Sequence, residues 1–183
     1  MPERPLRADA RRNRDKVLAA AREAFAASGY AVPLDEIAAL AGVGPGTVYR
    51  HFPAKEALFE AVVTARVEDL VADARARAGA DDAGGAFFGF LARVAGEAAA
   101  KRDLPDAIAI AGSLQQDLQA ALDVLLRNAQ EAGAVRADIS TPELIVLLKG
   151  LLRSLQEVSG DTAVPGMRDR MFAVVADGLR TPH

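Results

Sequence analysis

Apolar residues recur along this chain at three- and four-residue steps, the spacing of helices that each bury one face. From Asp9, which can cap a helix, Val17, Ala21, Ala24, Phe25 and Ser28 fall on one side, and Gly29 stops the run. A second helix is predicted from about Leu34 to Leu40. It opens with Asp35 and Glu36, where the positive end of the helix dipole favours acids, turns Ile37, Leu40 and Ala41 inward, and ends at Gly42. A third, short helix starts at Pro45 with Gly44 as its cap, because proline has no N–H to lose at the first helical position. Val48 and Phe52 share its inner face, which turns Thr47, Tyr49 and Arg50 outward or to the flank.

Pro53 breaks the chain again, and a long helix follows from Lys55 towards Arg77, with Leu58, Phe59, Val62, Val63, Val67 and Leu70 as its stripe. The small, acidic, glycine-rich stretch 78–86 is the clearest boundary. Beyond it, helices are predicted at roughly 87–101, 104–112, 114–132, 142–159 and 167–179. The expectation is an all-α chain of about nine helices, with no internal repeat.

Composition agrees with that pattern. Of 183 residues 51% are hydrophobic but only 5% aromatic, a balance rich in helix formers and long enough for a sizeable core. With no cysteine and histidine only at positions 51 and 183, disulfides, thiolate nucleophiles and imidazole-rich metal sites are excluded, and neither cofactor nor metal is expected. No apolar run suits a membrane helix, and the charged N-terminus does not read as a signal peptide, so a cytoplasmic location is expected. The net charge of −3 argues against a polyanionic partner until its distribution is read. Residues 1–55 hold nine Lys or Arg against six Asp or Glu, a surplus of three positive charges, so the remainder carries −6. Contact with a polyanion belongs to the first third.

The glycine-rich turn at 42–46 has two chemical readings. A dinucleotide-binding loop requires G-x-G-x-x-G between a buried strand and a helix, whereas here the spacing is G-x-G-x-G, a helical pattern precedes it, and no Walker lysine follows. Two short helices joined by a tight turn are what a helix-turn-helix needs to enter a DNA groove about 12 Å wide. Gly44, Pro45 and Gly46 keep the start of the second helix slender enough for close approach. Thr47 and Arg50 can reach base edges, while Tyr49, His51 and Lys55 offer donors to phosphate oxygens.

The stretch LDEIAALAGVGPGTVYRHFPAKEALFEAVV (34–63), and within it the run from Gly46 to Glu56, resembles the tetracycline-repressor (TetR) family over about the first 65 residues. The resemblance implies a DNA-binding module of three helices, a fourth helix leading to a variable helical effector domain, and DNA contacts by Thr47, Tyr49, His51 and Lys55. It divides the chain into a helix-turn-helix domain at 1–54, a connecting helix at 55–77 and a ligand-binding and dimerisation domain at 78–183. Where such proteins often carry hydroxyl residues that cap a helix and contact phosphate, this chain has Pro33, Gly44 and Ala54. Phosphate anchoring is therefore expected to lean on Arg11, Arg12 and Arg14, and on a tail holding Arg4 and Arg7.

One recognition helix makes few base contacts, so specific binding calls for two, held about 34 Å apart by a symmetric dimer on a palindromic operator. The interface is expected on the last two helices: Leu144, Leu148, Leu151 and Leu155 belong to a segment apolar around too much of its circumference for one buried side, and Met171 and Val175 lie on its natural partner. The resemblance likewise implies a four-helix interface there. Phe87, Phe90, Leu91 and Val94 gather aromatic and aliphatic groups that Ile110, Leu114 and Leu118 can face, a lining suited to a hydrophobic or amphipathic small molecule, with Ser113 and Gln119 as polar candidates. No nucleophile elbow or metal-spaced cluster points to an enzyme. The reading that emerges is a one-component repressor released from DNA by a small effector. A helical adaptor without DNA contact and a nucleotide-using enzyme are its rivals.

Overall fold

The helical periods become eight α-helices among the residues that the computed structural model describes, 3–100, 112–157 and 164–181. They are α1 (Glu3–Ser28), α2 (Leu34–Ala41), α3 (Pro45–His51), α4 (Lys55–Arg77), α5 (Ala83–Ala100), α6 (Gly112–Glu131), α7 (Thr141–Glu157) and α8 (Met167–Leu179). The helix predicted at 104–112 lies outside the described residues except for Gly112, which opens α6. Among the described residues the one β feature is an isolated antiparallel bridge between Val135 and Arg180. The chain divides into two compact units within α4, Met1–Ala65 and Arg66–His183.

In the first unit α1 supplies a buried stripe of Val17, Ala21, Ala24 and Phe25, on which Ile37 and Ala38 of α2, Val48 of α3, Phe52 and Leu58 close a single core. Helix α1 begins six residues before the predicted start at Asp9, because Pro5 falls in its first turn, where a missing N–H costs nothing. Asp9 therefore pairs with Arg12 along the helix instead of capping it. A 3₁₀ turn, Gly29–Ala31, leads to α2. Helix α2 ends on Gly42, whose φ of 65° is the left-handed conformation that glycine adopts without Cβ strain. There the Gly42 N–H donates to Ala39 O (3.1 Å) and the Val43 N–H to Ala38 O (3.0 Å), the paired bonds that finish a helix and reverse the chain within two residues. Leu40, predicted inward, is exposed.

In the second unit α5 packs on α6, α7 and α8, α6 on α7, and α7 on α8. Asp82 caps α5 by accepting the Gly85 N–H at 2.8 Å. Helix α6 closes at Gly133 (φ 70°) with the same paired bonds, Gly133 N–H to Gln130 O and Ala134 N–H to Ala129 O, both 2.9 Å. Before α7, Ser140 is capped in return by Glu143, whose carboxylate accepts the Ser140 N–H at 2.7 Å. The second half of α4 is tied to α5 by a chain of alternating charge. Glu97 accepts from Arg66 (3.2 Å) and Arg93 (3.0 Å), and Asp73 from Arg93 (3.0 Å) and Arg77 (2.8 Å).

Candidate nucleic-acid interface

Helix α3 is seven residues long, too short to be stable by itself, and it is anchored by Val48 and, just beyond its end, Phe52, both buried. The opposite face is left to solvent. Pro45 occupies the first position after Gly44, whose backbone is extended (φ −69°, ψ 147°), and the Thr47 N–H donates to Gly44 O at 2.8 Å. A Cβ placed on Gly44 or Gly46 would meet no atom within 4 Å, so neither glycine answers a packing demand of the chain itself. Tyr49 is 49% exposed. The exposed Arg50 folds back along the helix, with Nε donating to Gly46 O (3.1 Å) and Nη2 to Thr47 Oγ1 (3.4 Å). His51 is half-buried beside Phe52, ring centroids 6.4 Å apart, and the Arg14 guanidinium lies over the Phe52 ring at 5.3 Å.

The start of α4 adjoins this surface in the same unit. Lys55 Nζ stands 4.7 Å from the centroid of the Tyr30 ring, and the Tyr30 hydroxyl donates to Glu56 Oε1 at 2.7 Å. That bond holds the Glu56 carboxyl below its usual range and raises the Tyr30 phenol. The Tyr30 ring is itself stacked on Phe25 and edge-on to Phe59.

Thus Gly44, Pro45, Gly46, Thr47, Tyr49, Arg50 and His51 come together on one short helix and its cap, with Lys55 at the next helix start. Arg11 and Arg12 are exposed on α1, and Arg4 and Arg7 belong to helical backbone rather than an extended tail. Pro33 and Gly44 cap their helices without a side-chain bond. The sequence marks Glu56 only as the end of the motif run and gives Tyr30 no role; the one signal for Tyr30 is an aromatic four residues before the predicted helix at Leu34. The turn is entered from a helix, α2, whereas a nucleotide loop requires a strand there.

In the second unit Phe87, Phe90, Leu91 and Val94 are buried on α5, Leu114 and Leu118 are half-buried on the first half of α6, and Ile110 lies outside the described residues. Gln119 and Ser113 are exposed. Gln119 lines an open cleft of about 570 Å³ between α6 and the start of α7, of mixed polar and apolar lining, together with Asp123, Leu126, Arg127, Ile139 and Thr141. Of the residues expected at the dimer face, Leu144, Leu148, Leu151 and Leu155 are buried in the single chain, Leu151 and Leu155 in a cluster with Ala95 of α5 and Met171, Phe172 and Val175 of α8. Met171 and Val175 are half-buried; the apolar groups left bare on the same helices are Val146 (70% exposed), Leu147 and Val174 (72%). No helix among the described residues is long and apolar enough to cross a membrane.

Residues 17–62 match bacterial regulatory proteins of the tetR family, and residues 82–181 match the C-terminal domain of SbtR-like transcriptional regulators. A TetR transcription regulatory protein from Mycobacterium vanbaalenii is 42% identical, with 96% of this chain and 99% of that one covered and a TM-score of 0.72. A TetR transcriptional regulator from Streptomyces coelicolor is 32% identical, with 93% and 99% covered and a TM-score of 0.73. A comparison with curated proteins gave no match.

Proposed function

The chain belongs to the TetR family of DNA-binding transcriptional regulators, and from that premise we propose that it is a repressor that grips a palindromic operator as a homodimer and lets go when a small hydrophobic or amphipathic molecule binds its second unit. The observation that carries this reading is α3: its inner residues Val48 and Phe52 are buried, while Pro45, Gly46, Tyr49 and Arg50 are exposed and Thr47 and His51 half-buried. Gly44 and Gly46 clear the way for the groove edge. Thr47 and Arg50 read bases, Arg50 by leaving its own helix for a base edge. Tyr49, His51 and Lys55 bind phosphate oxygens, and Arg11 and Arg12 add charge along the backbone.

The dimer forms through α7 and α8, with Val146, Leu147 and Val174 at its centre and the half-buried Met171 and Val175 beside them. The effector lies against Phe87, Phe90, Leu91 and Val94 of α5 and Leu114 and Leu118 of α6, two helices that pack together. Release is a population shift: the ligand binds more tightly to a state in which α4 has swung, so that two recognition helices no longer match successive grooves, and its differential affinity sets the extent of release.

Selection from a random DNA library with the purified full chain, followed by gel shift of the enriched sequence, tests the reading. A palindrome with half-sites about one helical turn apart is expected. Failure to enrich any sequence, or enrichment of a single unrepeated half-site, would refute it.

A further inference from the structure

Lys55 and Glu56 are the first two residues of α4, a place where a phosphate gains from the ammonium and loses from the carboxylate. Adjacent helix residues do not face each other, so Lys55 acts on Glu56 through its charge without holding the carboxylate in place, and the contact that does hold it comes from another element. Tyr30, in the 3₁₀ turn after α1, touches both groups: its ring face lies 4.7 Å from Lys55 Nζ and its hydroxyl donates to Glu56 Oε1 at 2.7 Å. We infer that Tyr30 is a positioning residue for DNA binding, presenting the Lys55 ammonium over its ring and tying the Glu56 carboxylate aside through its hydroxyl.

Three features support this. The ring is held from two sides by Phe25 and Phe59, so both contacts issue from a fixed platform. A ring face attracts an ammonium without accepting its N–H groups in conventional hydrogen bonds, which leaves Lys55 donors for phosphate oxygens. Phenylalanine would fill the same aromatic cluster, and the hydroxyl adds only the bond to Glu56, whose ionised form that bond favours. Tyr30 thus selects which of two neighbouring charges meets the backbone.

The inference rests on the reading of Lys55 as a phosphate anchor, and the test separates the two. Binding of the full chain to a mixed-sequence duplex about 30 base pairs long, three helical turns, is measured by fluorescence anisotropy at low salt. The chains compared are the unaltered protein, Lys55→Ala, Tyr30→Phe, Glu56→Gln and the Tyr30→Phe/Glu56→Gln double variant. Tyr30→Phe is expected to weaken binding roughly three- to tenfold, as a freed carboxylate some 7 Å from a phosphate would. In the Glu56→Gln background the same change is expected to cost less than about twofold, because the two residues act as one unit. Equal losses in both backgrounds, or no loss in either while Lys55→Ala binds more weakly, would overturn the role of Tyr30 and leave the anchor standing. If Lys55→Ala binds as the unaltered chain does, the anchor falls and the inference with it. Thermal melting of each variant confirms that equal amounts of folded protein are compared.

Discussion

Gly46→Ala sets two properties of α3 against each other. Gly46 is the second residue of the helix, its φ is not positive, and a Cβ there meets nothing within 4 Å, so alanine adds helix propensity without a clash. Alanine is better than glycine by about 1 kcal/mol in a helix interior; in a first turn, where fewer backbone bonds depend on the residue, roughly half of that is expected. In a unit the size of Met1–Ala65, a gain of ~0.5 kcal/mol raises the melting temperature by roughly 2–4 °C. The same methyl projects into the space the groove edge is proposed to occupy, and a loss of about tenfold in affinity, ~1.4 kcal/mol, is expected. Melting followed by circular dichroism and anisotropy titration of the selected duplex read the two effects separately. Unchanged affinity, within about twofold, beside a raised melting temperature would show that the start of α3 does not come close to DNA. Gly42→Ala is the matched control. Its site is equally open, but its φ of 65° charges an alanine about 1–2 kcal/mol, so melting should fall.

Lys55→Ala should weaken binding to every duplex and flatten its salt dependence by about one phosphate per subunit, whereas Thr47→Ala and Arg50→Ala should change the selected sequence at a cost of ~1–3 kcal/mol; equal losses at all sites for all three, measured by gel shift over a salt series, would remove the base-reading role. Val174→Glu, at a position 72% exposed in the single chain, should leave melting of the isolated subunit within about 0.5 kcal/mol yet yield a monomer by light scattering, and a dimer of undiminished strength would move the interface elsewhere. The Thr141 hydroxyl donates to Asp123 Oδ1 at 2.8 Å and depresses that carboxyl; Ser140 does the same for Glu143, and Arg136 for Asp138. Groups with lowered folded-state values stabilise above their unfolded values near pH 4 and lose that contribution as pH falls through the folded ones. Acid melting should therefore steepen below about pH 4, and Thr141→Val should cost about 1 kcal/mol at neutral pH and make the acid limb shallower, with calorimetry over a pH series as the check.

The N-terminal unit was legible because its landmarks are local. Gly42 takes a left-handed conformation that most residues resist, the ring of Pro45 fixes a φ suited to a helix start, and the two lie three residues apart, so the turn and the start of α3 follow from short-range sterics. The misplacement of Leu40 has an equally local cause. Leu34, Ile37 and Ala38 are the buried residues of α2, and Leu40, although three residues after Ile37, lies about 110° round the helix from their centre. The clamp on Lys55 was not legible, since it joins residues 25 positions apart through a contact that no periodicity encodes.

The same distinction explains the C-terminal unit, and it limits what α4 can do there. Sequence showed that α7 is apolar on more than one side, but which side meets the chain's own α5 and α8 depends on how helices pack in space, and that decides between Leu148 as core and Val146 as surface. In the proposed mechanism α4 must transmit whatever the effector does, because its first turns carry Lys55 and its last turns carry the ionic chain to α5. Asp73 and Glu97 each serve two guanidiniums, so a movement of α4 along α5 disturbs several charge-assisted bonds at once instead of weakening one gradually. Part-buried charges left without partners are costly, which favours two discrete arrangements over a continuum. In that mechanism a proposed effector must discriminate strongly, because moving a two-state population from 1:99 to 99:1 takes about 10⁴-fold tighter binding to the favoured arrangement, ~5.5 kcal/mol.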